Sequence, residues 1–140
     1  MAKRIVCVTV ALMLCVCLQR AIAMGEGITV TKETQGRLGL NYALIADRVD
    51  DKAVLVRMEI PRKGKLKDLR SVTMNIGEGR PIVSATLQTT PGKNGSWVVS
   101  FQLSPELADK CSIELILPSS EPLTYMFYAV ELKGYVKHHE

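Results

Sequence analysis

Few side chains in this 140-residue chain have the types and spacing that chemistry requires. The two histidines, His138 and His139, are adjacent and lie within three residues of the C-terminus. A general base must be held within hydrogen-bond reach of its partner, and chain ends fray. A Ser-His-Asp or Cys-His site is therefore not expected, and the histidines read as a solvated tail. A copper site built from one cysteine, two histidines and a methionine finds no histidine near Cys111, and Met58 and Met74 fall on inward strand positions as core filler. Zinc and iron-sulfur sites lack ligands. Asp47, Asp50 and Asp51 gather at one turn without EF-hand spacing, so they read as turn formers and not as calcium ligands. Gly36, Gly39, Gly77 and Gly79 lie among strands, away from any helix start, which leaves no phosphate-cradling loop. No metal and no cofactor is expected. Glu59, Glu114 and Asp47 are the only carboxylates worth naming for acid–base work, with Glu59 and Glu114 on outward strand positions.

The one conspicuous charge feature runs from Arg57 to Arg70. Arg57, Arg62, Lys63, Lys65, Lys67 and Arg70 stand against Glu59 and Asp68, a local excess of +4. Pro61 and Gly64 place much of this run in an exposed loop. Its functional reading is an anion-facing patch for an acidic glycan, a lipid headgroup or an acidic protein. Its plainer reading is a solvated loop whose lysines discourage edge-to-edge sheet pairing. The run carries no interleaved aromatics of the kind single-stranded nucleic acid needs. Tyr125, Phe127 and Tyr128 cluster near the C-terminus, and Tyr125 and Tyr128 are the candidates for stacking on a sugar or anchoring a partner. The alternative is packing at an inter-sheet margin. Trp97 belongs to an inward-facing series and is expected in the core.

The N-terminus sets where any such surface would operate. Lys3 and Arg4 precede a 14-residue apolar run, Ile5 to Leu18, and Ala21-Ile22-Ala23 supplies small residues where a signal peptidase reads. This is the layout of a secretory signal peptide, with cleavage expected after Ala23 and a periplasmic or secreted product. The run falls short of the ~20 residues that span a bilayer. Leu14 before Cys15 and Val16 before Cys17 fit a lipid-attachment motif poorly.

Removing residues 1–23 leaves one domain, 24–140, of a length suited to a single core. It lowers 18 basic residues to 15 against 14 acidic ones, a net charge of +1, which gives no whole-protein argument for nucleic acid. Of four cysteines only Cys111 stays, so no internal disulfide is expected and Cys111 reads as a buried thiol.

The elements that must position these residues are strands. Period-two alternation recurs in seven segments, 28–31, 40–48, 54–60, 71–76, 83–88, 97–103 and 112–117, and an eighth strand segment is expected at 123–136. The last is apolar on both faces in its first half, as expected of a central strand or one that changes face. Turn chemistry separates the segments at 77–81, 90–95 and 118–122, and 90–95 reads as a hairpin joining 83–88 to 97–103. Ser104-Pro105 starts the best helical turn, one or two turns at most.

About eight short strands predict an all-β fold, a two-sheet antiparallel sandwich, with a small closed barrel as the alternative. In general architecture it resembles immunoglobulin-like sandwiches, although no second cysteine can pair with Cys111.

The expected function is an exported, non-catalytic binding module for a protein partner or surface glycan, with Arg62, Lys63, Lys65, Lys67, Arg70, Tyr125 and Tyr128 as binding candidates. One alternative is a strand-exchanging subunit of a surface assembly with Ile28 to Thr34 as donor. Another is a small carboxylate-dependent hydrolase.

Overall fold

The structure, a computed structural model, describes residues 27–77 and 81–137. The expected signal peptide and the histidine pair lie outside the described residues.

Each alternating segment forms a strand. The strands are β1 (Gly27–Val30), β2 (Ala43–Arg48), β3 (Val54–Ile60), β4 (Ser71–Ile76), β5 (Val83–Thr86), β6 (Thr90–Pro91), β7 (Trp97–Leu103), β8 (Cys111–Pro118), β9 (Tyr125–Glu131) and β10 (Val136–Lys137). The expected helical turn is α1 (Pro105–Ala108), where the Ser104 hydroxyl accepts from the Leu107 amide at the N-cap and proline opens the first turn. One sheet has the order β1-β9-β8-β4-β5 and the other β10-β2-β3-β7-β6; neither closes. The fold is therefore all-β and sandwich-like, and the closed-barrel alternative is set aside.

Alternation decides which side chains meet. Val54, Val56, Met58 and Ile60 of β3 are fully buried, whereas Leu55 and Arg57 between them face outward. Across the core stand Val72 of β4, Ile113, Leu115 and Leu117 of β8, and Tyr128 and Val130 of β9, all in the same apolar cluster. Burying each such side chain contributes about 1.5–3 kcal/mol before the entropy of ordering is subtracted. Cys111 belongs to this cluster at 4 % exposure, and burial pushes its thiol up to about 11.

Three expectations need correction. The sheets are mixed: β1 joins β9 in parallel and β10 joins β2 in parallel, while the remaining pairs are antiparallel. Period-two alternation is the same in both pairings, so it reports the buried face and not the neighbour's direction.

The 90–95 turn does not join 83–88 to 97–103. β5 pairs with β4 in one sheet, and the chain then crosses to the other, where β6 and β7 form the hairpin. Its tip has Asn94 and Gly95 at positive φ.

The 123–136 segment is two strands in different sheets. A 3-10 turn, Leu132–Tyr135, carries the chain across with Leu132 and Tyr135 buried beneath it. With β6 and β10 added, the strands of the described residues number ten and not eight.

The segment proposed as a strand donor sits on its own sheet. Gly27–Val30 forms edge strand β1 against β9. Thr31 and Thr34 then lock a turn, the Thr31 amide donating to the Thr34 hydroxyl at 2.8 Å.

Candidate functional site

The basic run is the connection between β3 and β4, and it passes over one end of the sandwich from sheet to sheet. After Pro61 the chain turns, the Lys63 amide donating to the Pro61 carbonyl, and Gly64 takes the positive φ (56°) that a side chain resists. A 3-10 turn, Gly64–Asp68, follows. Leu66 and Leu69 are both sunk in the core, and the Arg70 amide donates to the Ile116 carbonyl of β8 at 2.8 Å. The charged residues between these anchors are exposed by default. The connection is pinned at three points.

It presents its cations in three directions. Arg62, Lys67 and Arg70 line one concavity of about 270 Å³, together with Asp68, Leu69 and Pro118. Arg62 also lies over the Trp97 ring, 4.5 Å from its centroid, which restricts the guanidinium to one side. Trp97 is accordingly half-buried at the margin of the core, and not deep within it as expected. Lys65 turns away: its ammonium donates to the Leu38 carbonyl at 3.2 Å and sits 5.0 Å above the Tyr128 ring. Lys63 enters a separate cavity of about 480 Å³ beside Glu59, Lys93, Asn94 and Gln35.

The two candidate tyrosines part company as well. Tyr128 lies on the inward face of β9 and is 2 % exposed, a core residue that no partner can reach. Its place in a binding surface is withdrawn: residues three apart on a strand point to opposite faces. Tyr125 points outward at 39 % exposure and pairs with Pro118, the residue that walls the basic concavity. Beyond that pair, the β8–β9 hairpin ends in Leu123, which is 94 % exposed and holds a positive φ of 62°. An exposed leucine in left-handed backbone costs about 1–3 kcal/mol of local strain, and Leu123 is not among the binding candidates expected from the sequence. Its only advance signal was the Pro118-Ser119-Ser120-Glu121-Pro122 turn before it.

Glu59 and Glu114 face away from each other. Glu59 stands on the outer face of β3 and accepts a hydrogen bond from Ser96 at 3.0 Å. Glu114 stands on the outer face of β8 between Thr73 and Ala129, where partial burial raises its carboxyl above the ordinary range. The whole core separates them, so they are not the neighbours an acid–base pair requires. Asp47 pairs with Lys137 at 3.8 Å, four residues along β2 from the Ala43 that opposes Glu59. Asp50 and Asp51 serve the β2–β3 turn: Asp50 accepts from the Lys52 amide and Asp51 pairs with Arg48. Among the described residues, no group of three histidine, cysteine, aspartate or glutamate side chains is placed to hold a metal ion. No helix among them is long and apolar enough to cross a membrane.

Comparison of the chain with protein-family models, curated proteins and solved structures finds no match.

Proposed function

We propose that this chain is an exported, non-catalytic β-sandwich that binds an acidic protein segment at the end of the molecule where β3 crosses to β4. The observation that carries the reading is the concavity of Arg62, Lys67 and Arg70 walled by Pro118. Three cations converge on it against the single Asp68. The plainer account, lysines that guard a sheet edge, does not apply here. The connection joins β3 and β4, each of which has a strand on both sides.

Exposed Tyr125 and Leu123 on the adjoining hairpin favour a protein partner over a glycan. A rim of cations beside an aromatic and an aliphatic anchor matches a peptide with acidic and apolar side chains. The immunoglobulin-like layering proposed for the fold describes architecture and supplies no function. Export follows from the charged start, apolar run and small-residue ending of residues 1–23.

The test is capture from the extracytoplasmic fraction with the native chain and with Arg62→Glu, Lys67→Glu and Arg70→Glu combined. The native chain should retain an acidic partner whose binding weakens as salt rises, because exposed charge pairs are screened. The charge-reversed chain should lose at least about tenfold in affinity. Equal capture by both chains would remove the concavity from the reading. Retention of a sulfated or uronic glycan in place of protein would replace the partner class.

A further inference from the structure

Each sheet has two edges, and three of the four are guarded. β6 has two residues, one of them Pro91, which offers no amide; β10 has two residues and ends at Lys137, paired with Asp47. β1 is followed, after Thr31, by Lys32 and Glu33. Short strands, proline and charge are the usual devices against edge-to-edge pairing. β5 is short as well, but carries neither proline nor charge. Its four residues are all exposed, Ile82 just before it is 85 % exposed, and no charged residue occurs from Pro81 to Gly92.

The backbone of β5 is also set for pairing. The Leu87 amide donates to the Val72 carbonyl of β4, which fixes the alternation of the antiparallel ladder. Ala85 and Val83 share the set that bonds β4, and Ser84 and Thr86 therefore turn their amides and carbonyls to the side with no strand among the described residues.

We infer that β5 pairs antiparallel with the β5 of a second copy of this chain, joining two five-stranded sheets across a two-fold axis at Ser84. Antiparallel partners directly opposite each other share a face. Centring on Ser84 sets Val83 opposite the second copy's Ala85, both on the core side, and keeps every side chain on its own face. The Ser84 amide and carbonyl then form a reciprocal hydrogen-bonded pair with their copies. Self-pairing is favoured over pairing with a foreign strand because this edge is uncharged and self-complementary in register. Two copies meet without opposing or burying any charge of β5. The pairing also covers Val83, which stands 48 % exposed. A four-residue strand makes a small interface, so the dimer should be weak, with a dissociation constant on the order of 10–100 µM.

Sedimentation velocity of the purified chain from about 1 to 200 µM tests this, a range set to bracket that weak interface. The native chain should move from monomer to dimer within it. Ser84→Pro removes an amide that faces the free side and so leaves the β4 ladder intact; Thr86→Lys places a charge on the edge. Each should weaken dimerisation at least about tenfold while circular dichroism stays unchanged. If Ser84→Pro fails to fold, Thr86→Lys alone decides. Oxidised Ser84→Cys should give a covalent dimer where Gln102→Cys, on the other sheet, gives none. A native chain that stays monomeric throughout overturns the inference, including the case where a foreign strand occupies the edge. A dimer indifferent to both variants overturns it equally. Acidic-partner capture should be the same for Thr86→Lys and native chain, which keeps this result separate from the binding concavity.

Discussion

Tyr135 donates to the Gln35 side-chain oxygen at 2.9 Å, so the 2.8 Å bond between the two tyrosine hydroxyls must run from Tyr42 to Tyr135. The Gln35 amide closes the loop on the Tyr42 carbonyl at 2.7 Å. These groups are 93 to 100 residues apart and tie the turn after β1 to the end of the chain. Tyr135→Phe strands two polar groups at a largely buried site and should cost about 1–3 kcal/mol, read from urea unfolding. Alkali probes the same interior. An unfolded Cys111 thiol ionises near 9.0, but the folded one is raised to about 11 by burial. The neutral thiol's contribution is complete below pH 9 and is lost as pH climbs to 11, about 3 kcal/mol in all. Burial and the Tyr135 hydroxyl also raise the Tyr42 phenol, extending the loss above pH 10. Cys111→Ala should flatten the pH 9–10 portion of the unfolding free energy and leave the steeper part above it. The burial of Cys111 was readable from its place at the head of an apolar strand. The Arg62–Trp97 stack and the tyrosine pair were not, because each joins residues that meet only after the chain has folded.

The β3–β4 connection shows an element whose composition was legible and whose conformation was not. Its charge excess is plain in sequence, yet the run does not extend as one solvated loop. Leu66 and Leu69, three apart, nail its short 3-10 turn to the core, and the cations consequently divide among three directions. Leu66→Ala should cost about 2–5 kcal/mol and also weaken acidic-partner binding, because the Lys67 and Arg70 side of the concavity loses its anchor. The β6–β7 hairpin makes a sharper prediction. A Cβ on Gly92 would lie 2.6 Å from the Ser96 hydroxyl and 2.7 Å from a Val98 methyl. Gly92→Ala should therefore lower stability by about 1–3 kcal/mol. Gly36→Ala meets no atom within 4 Å at an ordinary φ and should be neutral or slightly stabilising, both read as thermal midpoints. The turn chemistry of residues 90–95 is legible in the sequence. Its partners are not, because a turn reports that the chain reverses and not which strand it pairs with on the way in.

For the whole molecule, the proposal of export predicts a mature chain beginning at Met24, 117 residues long, in the extracytoplasmic fraction, established by intact mass. Ala23→Arg should leave the unprocessed form, since the peptidase reads a small residue there. A cytoplasmic chain of full mass would remove the export premise while leaving the fold unaffected. Residue order alone was enough for the all-β class, the buried face of strands such as β3 and β8, and the capped turn at Ser104. Those depend on local alternation and capping, which act within a few residues. Long-range packing was needed to make both sheets mixed, to divide residues 123–136 between them, and to turn Glu59 and Glu114 in opposite directions. It alone brought Arg62, Lys67 and Arg70 around Pro118 and left β5 as an edge with neither charge nor proline. Such arrangements depend on which distant strands share the core, and burial is non-directional: it rewards an apolar side chain for leaving water without naming its neighbour.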